Sequence, residues 1–285
     1  MPLLSASAPS RVGRHGVALA KFKRAGERTY LADSFFRVPL QLMRPNYPEG
    51  EYPAHMTLIN PTGGHVGGDV LELEIALDEG ARVLWTTQGA TKVYKSLGEP
   101  VISTTKIEMG AGSGLELLPD PIIPYKDSIY AQETRISMAE GARLLYGESL
   151  YHGRVASGEH FEYSSLRLKL HVDYGGAPLL RDVMEVKPEE SNPERMGLFE
   201  PYPYLGSFYV AGGADEALNH IAEQVESLLA GASGLAGGCT LLTGPGALVR
   251  WLAESPEVMR KTHFEIWNIA RKTLFGREAT PLRKF

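Results

Sequence analysis

Cysteine is almost missing from this chain: Cys239 is the only one in 285 residues, so no disulfide framework within the chain is available and a reducing compartment is the natural setting. Long apolar runs are also missing. No stretch approaches the ~18 uncharged apolar residues of a membrane span, and Met1 to Arg14 holds no apolar core of signal-peptide length, so a cytoplasmic location and no membrane partner are expected. An excess of basic residues is lacking too. The formal net charge is -5 and the sequence pI about 5.9, which leaves no positive stripe to neutralise phosphates and argues against a nucleic-acid partner.

The usual signatures of catalysis are equally scarce. A phosphate-binding loop needs a glycine-rich turn ending in Lys-Ser/Thr at a helix start, and neither the Gly63-to-Asp69 cluster nor Gly244-Pro245-Gly246 supplies one. No Gly-x-Ser-x-Gly elbow occurs, and eight scattered histidines with one cysteine form no zinc-binding spacing. His152 and His160 come nearest to a metal pair, and they read as solvated loop histidines. A metal-dependent hydrolase of unknown substrate stays as the alternative function, resting only on polar side chains that could converge in space. Its test is turnover by the purified chain that is sensitive to His65 or Asp120.

What the chain does have is strand pattern. From His15 to about Val172, apolar and β-branched residues alternate with polar ones between glycine turns, as in Leu71-Glu72-Leu73-Glu74-Ile75 and Arg167-Leu168-Lys169-Leu170. Asp78-Glu79-Gly80-Ala81-Arg82 resembles Ala139-Glu140-Gly141-Ala142-Arg143, and Gly110 to Gly114 makes a third turn between them. That spacing suggests a hairpin unit of about thirty residues, stacked into a sandwich or coiled sheet, although such turn sequences also recur for purely local reasons. Two helices are expected near the C-terminus. Asp215 to Leu229 puts Leu218, Ile221, Ala222, Val225, Leu228 and Leu229 on one face. The second has Ser255 as N-cap, Pro256 at the first position, Met259, Ile266, Trp267, Ala270 and Leu274 inward, and Gly276 as its stop. Strands around Thr240 to Leu242 and Leu248 to Trp251 lie between the helices, and Lys187 to Glu194 reads as a surface loop. The expected fold is therefore mainly β, a many-stranded coiled or stacked sheet in one domain over 1–285, strand-rich over 15–212 and helix-containing over 213–276.

Several segments remain unexplained by turns and strands. Arg44-Pro45-Asn46-Tyr47-Pro48-Glu49-Gly50, the run Asn60 to Asp69 with its Pro-x-Gly-Gly-x-x-Gly-Gly-Asp pattern, and above all Thr86-Thr87-Gln88-Gly89-Ala90-Thr91-Lys92-Val93-Tyr94-Lys95-Ser96 resemble motifs of the UreD (UreH) family of urease accessory proteins. Leu118 to Tyr125, Gly153-Arg154 with Gly158-Glu159, and a final helix carrying Trp267 and Arg271 extend the resemblance over about residues 15 to 275. Lys95 replaces a more usual arginine, and Glu148 stands where an aspartate is often found.

The resemblance implies a non-enzymatic, strand-rich scaffold that binds UreF and through it the GTPase UreG, docks on apo-urease, and assists nickel insertion into a dinuclear centre. It implies no tightly bound cofactor and at most transient Ni2+. A dedicated nickel store is a further option that the scarcity of Cys and His opposes. Candidate partner or conduit residues are Gly63, Gly64, Gly67, Gly68, Asp69, Thr86, Thr87, Gln88, Thr91, Lys92, Tyr94, Asp120, Arg154 and Glu159. The glycines suit a bend, a bulge or a docking surface, and Asp69 suits a turn in which it satisfies backbone donors. The Thr/Gln cluster needs hydrogen-bond partners or water, hence a polar channel or a polar interface. Arg154 and Glu159 can pair across their turn. An exposed apolar patch for docking is also expected.

Overall fold

The computed structural model describes residues 13–282; the segment read above for a leader lies largely outside them. The chain begins with a hairpin of β1 (His15–Ala25) and β2 (Arg28–Arg37), followed by β3 (Gln41–Leu42) and β4 (Ala54–Ile59). It then alternates between two sheets. β5 (Val70–Leu77) lies in the first and β6 (Arg82–Thr87) in the second; short β7 (Thr91–Val93) marks the crossing to β8 (Val101–Met109) in the first. β9 (Gly114–Leu118) returns to the second, short β10 (Ile122–Pro124) crosses back, and β11 (Ile129–Met138) and β12 (Arg143–Tyr151) repeat the alternation. β13 (Ser165–Tyr174) and β14 (Ala177–Val186) finish the first sheet. β15 (Tyr204–Ala211), α1 (Asp215–Gly231), β16 (Leu235–Leu241), β17 (Gly246–Ala253) and α2 (Pro256–Phe275) complete the molecule.

Within the first sheet β1, β5, β8, β11 and β13 are all parallel, with β2 and β14 antiparallel at its two edges. The second has a parallel middle of β4, β6, β9 and β12, extended by antiparallel β15, β17 and β16. The mainly-β, stacked-coil expectation holds, and the repeat unit differs from the hairpin expected. The three glycine turns are corners that carry the chain from one sheet to the other. They stack: Gly80 N–H donates to Ala111 O at 2.9 Å, Gly114 N–H to Ala81 O at 2.9 Å, and Arg143 N–H to Ser113 O at 2.9 Å. Gly80, Gly112 and Gly141 all sit at φ between 63° and 77°, where a Cβ would be strained.

Two cores result. One lies between the sheets, with Phe22, Ile75, Trp85, Ile107, Leu115 and Ile136 all buried. The other fills the space between the outer face of the second sheet and the two helices, where Phe208, Val249, Trp251, Ile221 and Ile266 meet. β9 is consequently buried on both faces and reads as a near-continuous apolar run, whereas the first sheet shows water its outer face and alternates.

The helix readings are met closely. In α1 Leu218, Ile221, Val225 and Leu229 are buried while Ala222 and Leu228 are only half-buried. In α2 Ser255 accepts from Val258 N–H, Pro256 opens the helix, Gly276 closes it in the left-handed conformation, and all five expected residues are buried. Exposed apolar side chains include Phe35 and Phe36 on edge strand β2, Val38 just beyond it, and Leu97, which is 91% exposed. Among the described residues no helix is long and apolar enough to cross a membrane.

Candidate functional site: a cavity between the sheets

Facing inner surfaces of two stacked sheets should be apolar, yet register places polar rows there. On the first sheet Leu71, Ser103, Gln132 and Leu168 are lateral neighbours, as are Leu73, Thr105, Thr134, Leu170 and Asp182. On the second, Trp85, Leu117, Tyr146 and Tyr209 form one row, and Glu148, Ser207 and Arg250 another. Small hydroxyl residues cannot fill the space that leucine would, and a cavity of about 350 Å³ opens between the sheets. A second, constricted space of about 20 Å³ continues towards β14 and β17, and Gln132, Tyr146 and Glu148 line both.

These shared residues form a relay. Tyr130 OH donates to Gln132 Oε1 at 3.0 Å, Gln132 Nε2 donates to Glu148 Oε1 at 2.7 Å, and Tyr146 OH donates to the same oxygen at 2.7 Å. Burial raises the Glu148 pKa above its ordinary value, more than the Tyr146 and Gln132 hydrogen bonds lower it. Beyond it Tyr209 stacks on Tyr146 with centroids 5.5 Å apart and donates to Asp182 Oδ2 at 2.6 Å, and Arg250 pairs with the same carboxylate.

Six of the residues singled out from sequence line the larger cavity: Gly63, Thr87, Gln88, Thr91, Lys92 and Asp120. β6 points Trp85 and Thr87 inward, so Thr87 meets Asp120, whose N–H donates to Thr87 Oγ1 at 2.8 Å while the hydroxyl donates back to Asp120 Oδ2 at 3.2 Å. β7 pairs with β10 and brings Thr91 and Lys92 to the same region. His65 also lines the cavity, with Asn60 Nδ2 3.2 Å from its Nε2, and burial pushes its pKa down to about 4.

The others lie elsewhere. Thr86 points to the opposite face of β6, where its hydroxyl donates to Leu118 O at 2.6 Å. Gly64 and Gly67 permit close approach: a Cβ would lie 2.5 Å from the Tyr94 ring at the first and 2.5 Å from Glu99 O at the second. Gly68 takes φ 87°, and Asp69 accepts Val66 N–H at 3.0 Å, a turn-holding role. Tyr94 packs edge-on against Tyr125 at 5.3 Å, and Arg154 lies 4.6 Å over the Tyr125 ring. Arg154 and Glu159 do pair, at 2.5 Å. Burial works to raise Glu159, but hydrogen bonds from Arg154 and from the Arg154 and Lys126 amides outweigh it and hold the carboxyl below its usual range.

His152 is not a solvated loop residue. It is fully buried between Phe161 and Phe199, 2.8 Å from Tyr163 OH, and burial drives its pKa to about 3. His160 is exposed. Tyr130, Gln132, Thr134, Tyr146, Glu148, Ser207, Asp182 and Arg250 were not singled out from sequence for a site. The alternation of β11, taken to its inward parity, would have grouped Tyr130, Gln132 and Thr134.

The polar part of the lining offers hydroxyl, amide and carboxyl oxygens with one neutral imidazole and the Lys92 side chain, and no thiolate. A family model described as UreD urease accessory protein matches residues 14–284. Similar curated proteins include the urease accessory protein UreD of Pseudomonas putida (strain GB-1), 34% identical over 92% of this chain and 91% of that protein. That of Alkalilimnicola ehrlichii (strain ATCC BAA-1101 / DSM 17681 / MLHE-1) is 33% identical over 97% and 93%. That of Actinomyces naeslundii is 29% identical over 95% and 98%.

Proposed function

The chain belongs to the UreD family of urease accessory proteins, with the role in urease maturation that membership implies, and from that premise we propose that it is a non-catalytic cytoplasmic scaffold with an internal conduit. In this reading it binds UreF, recruits the GTPase UreG through that pair, and docks on apo-urease. Nickel is cargo: it enters the cavity between the sheets at the Thr87–Asp120 mouth and passes along the hydroxyl-lined interior. The observation that carries the reading is the cavity of about 350 Å³, in which hydroxyl, amide and carboxyl groups are set among apolar walls and the Thr87-to-Lys92 segment forms part of the lining.

The residues have separable duties. Thr87, Gln88 and Thr91 offer exchangeable oxygen ligands at the entrance, and Asp120 supplies negative charge there. Ser103, Thr105 and Thr134 keep the interior wide enough for a hydrated ion, since each replaces a leucine-sized side chain. Gly64, Tyr94, Tyr125, Arg154 and Glu159 make a rigid outer edge, suited to a docking protein.

Two measurements test the two halves. Co-expression with UreF should yield a stable complex, and persistent failure to co-purify sinks the scaffold. Thr134→Leu with Ser103→Leu plugs the cavity; urease matured with this variant should carry several-fold less nickel while the complex still forms. Full nickel loading with the plug in place and the complex intact sinks the conduit.

A further inference from the structure

The space between the sheets narrows towards a second end, where an ion pair spans the gap. At the far side of the constricted space, Asp182 of β14 and Arg250 of β17 come together across the gap between the sheets, and Tyr209 OH holds the same carboxylate at 2.6 Å. These two strands lie outside the parallel core, so the two sheets meet here through side chains. The partners are unequally exposed. The Arg250 side chain is 43% exposed and Asp182 only 16%, so the guanidinium is reachable from solvent while the carboxylate faces the interior.

Arg250 is also tied inward, with Nε donating to Ser207 Oγ at 3.3 Å. Ser207 is the lateral neighbour of Glu148 on one side and of Arg250 on the other, so one row of β12, β15 and β17 leads from the relay to the closing pair. Two carboxylates, Glu148 and Asp182, line this space, and Arg250 is the cation that spans its outer end. A guanidinium at the end of a route for a dication is a barrier while it stands and a docking handle for an acidic group.

We propose that Arg250 and Asp182 form a latch over the second end of the passage, and that an acidic side chain of a docking protein opens it by taking Arg250. The exchange swaps one ion pair for another, so the guanidinium is never left unpaired. Withdrawal of Arg250 unblocks the space and leaves Asp182 facing the cargo, which turns a repelling exit into an attracting one. A dication leaving this way is thus released only when an acidic surface is seated. The purpose of the latch rests on the conduit reading; its existence does not.

The test is chemical access to Ser207→Cys in a Cys239→Ser background, read by mass spectrometry as the rate of labelling with 2-aminoethyl methanethiosulfonate. Thr87→Cys in the same background reports the first mouth. Arg250→Gln and Asp182→Asn should each raise the rate at position 207 at least tenfold and leave that at position 87 unchanged. Millimolar oligoglutamate should raise the rate at 207 when Arg250 and Asp182 are both present and have no effect in Arg250→Gln. Equal rates at 207 in the parent and in both variants, each with an unchanged near-ultraviolet circular dichroism spectrum, overturn the latch. Indifference to oligoglutamate overturns opening by an acidic group. Nickel loading of urease by Arg250→Gln separates the two readings: raised access with unaltered loading leaves the latch standing and removes the conduit.

Discussion

Replacing Arg271 by methionine should be strongly destabilising. The guanidinium is 1% exposed and holds three groups through four hydrogen bonds: Nε donates to Glu116 Oε1 at 3.1 Å, Nη1 to Glu278 O at 2.7 Å, and Nη2 to both oxygens of Glu49 at 2.9 and 2.8 Å. Glu116 receives a further bond from Trp267 Nε1 at 2.6 Å. Methionine keeps the volume of the stem and removes the charge, so the loss is that of leaving Glu116 without its cation and Glu49 with only Arg277, 3.7 Å away, and the His55 ring. Breaking a buried pair in this way costs about 3–5 kcal/mol, which for a domain of this size lowers Tm by roughly 10 °C. Burial already raises the Glu116 pKa against the pull of Arg271, and without the cation it rises further. A raised folded-state pKa gives stability that is present below the unfolded value and lost as pH rises. The deficit of the variant should therefore be smaller at pH 5 than at pH 7.5. Thermal unfolding followed by circular dichroism at both pH values is the assay. A Tm within 2 °C of the parent, or a deficit that does not change with pH, refutes the reasoning.

Gly64→Ala should lower the urea midpoint by the equivalent of about 1–3 kcal/mol, because the new methyl meets the Tyr94 ring and Lys92 O, neither of which can withdraw freely. Ser255→Ala removes the acceptor for Val258 N–H and should cost about 1 kcal/mol by the same measurement. His152 is kept neutral with a pKa moved from 6.5 to about 3, so its contribution is present above pH 6.5 and is lost as pH falls; the loss by pH 4 is about 3 kcal/mol. His152→Phe should accordingly flatten the acid limb of the stability curve between pH 6.5 and 4, whatever its effect at pH 8; an unchanged slope counts against the buried neutral imidazole.

Which features were legible in sequence follows from how local their causes are. Both caps of α2 are written in adjacent residues, Ser255-Pro256 at one end and Gly276 at the other, and both are found as expected. The corners at Gly80, Gly112 and Gly141 were legible as turns but not as corners, because a glycine turn has the same chemistry whether the next strand pairs with the last or crosses to another sheet. His152 was misread for a related reason: Phe199, which helps bury it, arrives from a distant loop. At the cavity, Thr87, Gln88 and Thr91 stood out as polar groups in an otherwise buried strand. Gln132 and Glu148 did not, since a polar residue inside an alternating strand looks like one that faces water. Only the opposing sheet turns that parity into an interior wall.

The reversed strands at the margins of the sheets bear on how this protein keeps company with itself. A stack of parallel rungs is an open template, to which an identical stack could add rung upon rung without limit. Here β2 and β14 run against the grain at the two edges of the first sheet, and a second copy offering its own parallel rungs meets a strand of the wrong polarity. The rung-on-rung repeat of a fibre is thereby broken at both edges of the first sheet.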